Sequence, residues 1–156
     1  MQTENYEFKE LSILFEISKK LDDSMNLKDV LFPVLKIIAD NMNMHLGTLT
    51  IFNRNTKEIV IEEAYGLSEE QRARGRYRIG EGITGKVVET GEPIIVKKVS
   101  DESKFLDKTR AREQLNKKDI SFICVPIKIG KEVIGTLSFD RYFVDDLTLE
   151  RDLKLI

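Results

Sequence analysis

The chain has 156 residues, of which 41% are hydrophobic and 33% charged, with a net charge of −2. This describes one domain with enough chain for a real core, and its balance argues against nucleic acid as the main partner, which calls for a basic excess or stripe. No apolar run approaches the roughly 20 residues of a membrane span, the polar start "MQTENYEFKE" is not a signal peptide, and a single cysteine, Cys124, closes no disulfide within the chain and fits a reducing cytoplasm.

Residues 4–22 carry Leu11, Leu14, Phe15, Ser18 and Leu21 at helical spacing. A second helix is expected after Asn26, a plausible N-cap, through Leu27, Val30, Leu31, Val34, Leu35 and Ile38, with Pro33 inside it. From Leu46 the period changes. "LGTLTIF" and "EIVIEEAY" flank the turn cluster "NRNTK" and read as a hairpin. "RYRI" reads as a short strand, and "ITGKVVET" as a short helix stopped by Gly91, with Pro93 opening the strand "PIIVKKV". Residues 101–119 look like a polar loop with a helical turn or two. "SFICVPIKI" and "EVIGTLSF" flank Gly130-Lys131 as a second hairpin. Ile123, Val125, Ile127 and Ile129 are expected on one strand face, and Val133, Gly135, Leu137 and Phe139 on one face of its partner, with Thr136 and Ser138 opposite. The tail "LTLERDLKLI" starts an amphipathic helix that stops on an apolar residue, as in a fragment of a longer protein. Two hairpins with helices at both ends predict an α+β fold, an antiparallel sheet with its helices to one side. The division is helices 4–43, sheet core 46–141 and the start of a linker helix at 145–156, in one domain over 1–156.

"GEGITGKV" fits two phosphate-loop patterns. Gly80, Gly82 and Gly85 match G-x-G-x-x-G, and Val87 extends the match to the protein-kinase glycine loop. Neither reading survives. Only seven residues separate Gly85 from Pro93, whereas a crossover to a parallel strand takes roughly 10–12 or more. The sole histidine, His45, is followed by Leu46, so no HRD loop exists, and DFG is missing too. The glycines serve better as a sharp turn, with Gly85 letting a short helix lie close to a sheet.

One cysteine and one distant histidine make no zinc site. Cys124 in an apolar strand reads as core, and His45 as a cap on the second helix or a solvent-facing residue. Arg72, Arg74, Arg76 and Arg78 recur with period two; if extended, they line one face, either as a solvated edge or as a surface for anions or an acidic partner. Arg110 and Arg112 offer a second pair in the long loop, a candidate lid over a pocket.

"YRIGEGITGKVVETGEPIIVKKVSD" resembles the strand, glycine turn, short helix and strand at the centre of GAF domains, and "SFICVPIKIGKEVIGTLSFD" resembles their closing hairpin. The likeness covers nearly the whole chain. With "FLDKT" and "SFICVPIK" it is most similar to the N-terminal domain of the nitrogen-fixation transcriptional activators. This resemblance implies a fold of about six antiparallel strands with N- and C-terminal helices on one face. It implies a cytoplasmic sensory domain rather than an enzyme, gating an ATPase module in response to nitrogen status. Inputs in that family are 2-oxoglutarate, a PII-type protein or an inhibitory partner protein. Cys124 is followed by Val125, unlike the bilin-binding members, and an N-K-F-D-E signature is absent, unlike the cyclic-nucleotide members. A 2-oxoglutarate site needs paired donors around an apolar wall, for which the candidates are Arg76, Arg78, Thr84, Lys86, Arg110, Arg112, Ser121 and Thr136. None matches a family binding motif. The alternatives are a ligand-free module that homodimerises through its first and last helices, and an enzyme of the free-methionine sulfoxide reductase class, whose members need several cysteines.

Overall fold

The computed structural model describes residues 9–17, 27–112, 120–143 and 145–156. The elements are helix α1 (residues 9–17), helix α2 (Leu27–Asn41), strands β1 (Met44–Asn53) and β2 (Glu58–Tyr65), helix α3 (Glu69–Arg74), strand β3 (Arg76–Arg78), helix α4 (Gly82–Thr90), strand β4 (Ile94–Val96), a 3₁₀ turn (Val99–Asp101), strands β5 (Ile120–Ile129) and β6 (Glu132–Tyr142), and helix α5 (Asp146–Leu155). The expected N-cap Asn26, the outer turns of the first helix and residues 113–119 of the long loop lie outside the described residues. Both expected hairpins form. They belong to a six-stranded antiparallel sheet of order β3-β2-β1-β6-β5-β4.

Alternation along β5 assigns the two faces. Ile123 joins Phe139, Met44, Ile13 of α1, Leu35, Ile38 and Ala39 of α2, and Leu149 of α5 in one core. Phe122 and Cys124 point the other way, into a second core with Ile83 and Val87 of α4, Val96 and Val99. The N- and C-terminal helices therefore share a face, as expected, while α4 and the loop after β4 cover the opposite one. Burying each of the large aliphatic side chains contributes roughly 1.5–3 kcal/mol.

Two of the sheet's three register shifts re-aim side chains at the cavity and at the end of α4. Between Met44 and Leu46 the pairing with β6 slips, leaving His45 as the extra residue. Without that slip, Met44 and Leu46 would share a face; with it, Met44 enters the helix-side core and Leu46 turns toward α4's side. A second slip, between Ile127 and Lys128, leaves Ile134 unpaired. Val133, expected beside Leu137 and Phe139, instead lies against Gly91: a Cβ at Gly91 would stand 3.5 Å from Val133 Cγ2.

The arginine series does not form one face. Ser68 accepts from the Gln71 backbone N–H, and the Gln71 side chain accepts from the Ser68 backbone N–H. This capping box starts α3, so Arg72 and Arg74 are helical and only Arg76–Arg78 is extended. The signal, Ser68-Glu-Glu-Gln71, was present in the chain and outweighed by the alternation of arginines.

The glycine turn is structural. Gly80 and Gly82 have φ of +81° and +62°, and Gly85 N–H donates to Glu81 O while its carbonyl accepts from Gly80 N–H. A Cβ at Gly85 would lie 2.3 Å from the carbonyl oxygen of Arg78 at the end of β3. Gly85→Ala is expected to cost roughly 1–3 kcal/mol, the usual range for overpacking, measured as a lower urea midpoint. Gly130→Ala, where a Cβ meets nothing within 4 Å and only a φ of +63° resists, is expected to cost less.

Candidate functional site

On α4's side of the sheet, strands β1 and β6 present a double row of hydroxyls. Thr48 pairs with Ser138 at 2.5 Å, and Thr50 with Thr136 at 2.6 Å. These four residues occupy alternating positions on neighbouring strands, so the pattern T-x-T facing T-x-S builds the ladder directly. Above it lie Tyr77 of β3, Thr84 of α4, Leu46, Ile61, Leu67 and Phe122, and residues Thr109 and Arg112 of the loop. The enclosed cavity is about 20 Å³, room for about one water.

Residues 101–112 close the cavity as a lid with several attachments. Arg74 donates from Nε and Nη2 to the Thr109 carbonyl at 3.2 and 2.9 Å. Lys108 donates to the Arg76 carbonyl at 2.8 Å, pairs with Glu81 and lies over the Tyr77 ring. Phe105 meets Phe122 edge-on, centroids 5.0 Å apart. At the inner end the Arg112 guanidinium is buried between these two rings, 4.7 and 5.5 Å from their centroids. It donates from Nε and Nη2 to the two oxygens of Asp140, and from Nη1 to Asp107 at 2.8 Å. Burial opposes its charge, but the two carboxylates outweigh that and hold it protonated. Asp107 and Arg110 have φ of +48° and +59°, so the lid also carries local backbone strain.

Of the expected site residues, Thr84 and Arg112 meet at the cavity. Thr136 is one layer below, fully buried behind Thr50. Ser121 shares the opposite face with Ile123 and donates to the Lys97 carbonyl at 2.5 Å. Arg76, Arg78 and Arg110 are exposed on the exterior, and Lys86 pairs with Glu89 outside the cavity. Asp140, Tyr77, Thr48 and Thr50 were not singled out from sequence. Asp140 was legible: it follows Thr136 and Ser138 in the same alternation, a carboxylate on the face that otherwise carries hydroxyls.

Cys124 is fully buried, and burial pushes its thiol up to about 12, with Thr136 and Thr84 pulling the other way. Burial likewise pushes Tyr77 up to about 12. His45 neither caps α2 nor faces solvent. It sits at the β1 bulge, stacked on Tyr142 at 4.9 Å, with both ring nitrogens buried and lacking a hydrogen-bond partner among the described residues. Burial lowers its pKa from 6.5. Among the described residues no group of three His, Cys, Asp or Glu could hold a metal ion.

Three outcomes follow from this geometry. Asp140→Ala, which strips Arg112 of two charge-assisted bonds, is expected to cost roughly 3–5 kcal/mol in denaturant unfolding. Cys124 is expected to resist thiol reagents at pH 8 in the native state and to react fully in urea; fast native labelling would contradict its burial. His45 binds its proton less tightly when folded, so its contribution to stability is full above pH 6.5 and is lost as pH falls below that toward the folded value. A His45→Phe variant is expected to flatten the dependence of stability on pH below 6.5, measured as urea midpoints across the acid range.

Residues 24–156 match the GAF domain family. The chain is 36% identical over 148 residues to the nitrogen fixation protein AnfA of Azotobacter vinelandii, covering 95% of this chain and 28% of that protein. It is 38% identical over 128 residues to the Nif-specific regulatory protein of Herbaspirillum seropedicae, covering 82% and 23%. The chain thus spans about a quarter of the length of these relatives. The crystal structure of the A. aeolicus nlh2 GAF domain in an inactive state superposes with a TM-score of 0.85 at 29% identity, over 96% of this chain and 90% of that one. The free methionine-R-sulfoxide reductase of Neisseria meningitidis, at 18% identity, TM-score 0.71 and coverage of 94% and 84%, shares the fold alone. By family match, relatives and architecture, this chain belongs to the GAF domain family.

Proposed function

We propose that this GAF domain is the sensory element of a nitrogen-fixation regulator, in which a change at the lid cavity is passed through β6 to α5. One observation carries this reading. Asp140 and Arg141 are consecutive residues of β6, so their side chains point to opposite faces. Asp140 holds Arg112 of the lid, while Arg141 forms a buried pair with Asp152 of α5. Each pair is desolvated, so a shift of one partner leaves a buried charge unbalanced. The lid and α5 are therefore tied to adjacent residues of one strand. The regulatory names of the relatives support the sensory role, and the output we infer is an ATPase module of an enhancer-dependent activator, gated through α5 in the cytoplasm. No helix among the described residues is long and apolar enough to cross a membrane.

As effector we take 2-oxoglutarate, with Thr84, Tyr77 and Arg112 as donors. The cavity of about 20 Å³ is far below the roughly 300 Å³ at which ligand pockets begin, so the diacid enters only if the lid lifts and Arg112 exchanges an aspartate for a ligand carboxylate. Arg76, Arg78, Lys86 and Arg110 then belong to the exterior, where a PII-type or inhibitory signalling protein would dock. Isothermal titration with 2-oxoglutarate is expected to give heat with a Kd below about 1 mM, together with faster hydrogen exchange in residues 101–112. No heat at millimolar ligand would exclude this effector; heat without any change in α5 exchange would exclude the route through β6.

A second reading rests on α1. Leu11, Leu14 and Phe15 are 67%, 53% and 71% exposed, a stripe at i, i+3 and i+4, while Ile13 faces the core. This favours a homodimer through α1 that works without a metabolite. Sedimentation is expected to show a dimer that Leu14→Glu converts to monomer; a monomeric parent at 100 µM, about the strength of a weak association, would end it.

A further inference from the structure

The tips of the two hairpins meet the C-terminal end of α4 at a place that the lid cavity does not reach. A groove of about 460 Å³ opens there. Its floor is apolar, formed by Phe52, Ile79, Val88 and Val133, and its rim carries Arg54, Lys57, Lys128 and Lys131. The extra residue in β6 at Ile134 is what turns Val133 into this floor. Lys57, in a turn with φ of +62°, extends over the Phe52 ring at 6.0 Å. Lys128 lies across the end of α4, close enough that a Cβ at Gly91 would be 3.4 Å from its Nζ.

The charges are unbalanced. Among the described residues, Glu89 and Glu132 are the only carboxylates lining the groove, and each is engaged, with Lys86 at 2.9 Å and with Arg54 at 3.0 Å. Lys57, Lys128 and Lys131 have no ion-pair partner among the described residues. Four cations against two anions give the groove a surplus of +2 in a chain whose net charge is −2. Lysines on hairpin turns alone would be an ordinary solvated edge. Here they ring a partly exposed apolar floor, in which Ile79 is 42% exposed, Phe52 and Val133 are half-buried and Val88 is buried beneath them. Apolar floor and cationic rim together match the anatomy of a protein docking site, with its apolar centre and polar margin. A phosphate backbone would use the cations and leave the floor unpaired.

We propose that this groove docks an acidic partner segment, an extended peptide in which Glu or Asp alternate with Leu or another large apolar residue. The apolar side chains lie on Phe52, Ile79 and Val133, and the carboxylates reach Lys57, Lys128 and Lys131. The helix α4 lines this groove with Val88 to Thr90 and its C-cap Gly91, and the lid cavity with Thr84, so the partner and an effector would act on one short helix.

Fluorescence anisotropy with a labelled decapeptide of alternating Glu and Leu tests this on the intact domain. The expected Kd is about 10–500 µM, weakened at least tenfold in the triple variant Lys57→Glu, Lys128→Glu, Lys131→Glu, and weakened again at 500 mM salt, where the Debye length falls below about 5 Å. A Phe52→Ser variant, which leaves every charge in place, is expected to weaken binding several-fold. Circular dichroism and an unchanged urea midpoint establish that the variants fold. The proposal is overturned if the peptide does not bind, if the triple variant binds equally, or if oligoglutamate or a single-stranded DNA decamer binds as well as the Glu-Leu peptide.

Discussion

A guanidinium buried between two phenyl rings and two carboxylates holds residues 101–112 against the α4 side of the sheet. Arg112 is neutralised by Asp140 from the central strand β6 and by Asp107 from its own loop. Removing a charge of this kind from water costs several kcal/mol unless its partners are well placed, so the lid is either fully seated or displaced as a unit. The surrounding contacts follow from that seating. Arg74 can cap Thr109 and Lys108 can bridge to Arg76 only while Arg112 keeps residues 101–112 over Tyr77. Among the described residues, the one guanidinium that lines the cavity is thereby already engaged by two carboxylates.

β6 gives the clamp its reach. Its register with β1 is broken at His45, and that one extra residue separates Met44, in the helix-side core, from Leu46, at the cavity. Gly47 then faces Phe139 with no Cβ, where one would stand 2.7 Å from the ring. The strand can thus keep a large aromatic toward α2 and a carboxylate toward the lid one residue apart. Arg141, next along, joins α5 to the same strand. The chemistry on each face is local; the link we propose between the faces runs through a central strand paired on both sides.

The regular elements were legible because their cause is local. Alternation, Gly130-Lys131 and "NRNTK" specify both hairpins, and the glycine turn specifies α4 down to the close approach at Gly85. Arg72 and Arg74 show how a coincidental period can mislead: two-residue spacing fitted a strand, while the Ser68–Gln71 capping box set the helix. Of the site, Thr84 and Arg112 were anticipated as polar groups near a lid. Their meaning was not, since whether an arginine is free or neutralised depends on Asp140, 28 residues away, and on a strand register that no local pattern announces. His45 failed for the same reason, because a bulge belongs to a pair of strands.

The claim that one strand couples the lid to α5 is tested most directly by a double-mutant cycle on residues that do not share a face. Unfolding free energies of the parent, Arg112→Gln, Asp152→Asn and the double variant suffice. Independent sites add to within about 0.3–0.5 kcal/mol. A coupling clearly larger than this is expected, because Arg112→Gln leaves Asp140 uncompensated and Asp152→Asn leaves Arg141, its neighbour on β6, uncompensated. Strict additivity would contradict it, leaving two unrelated buried ion pairs on one sheet.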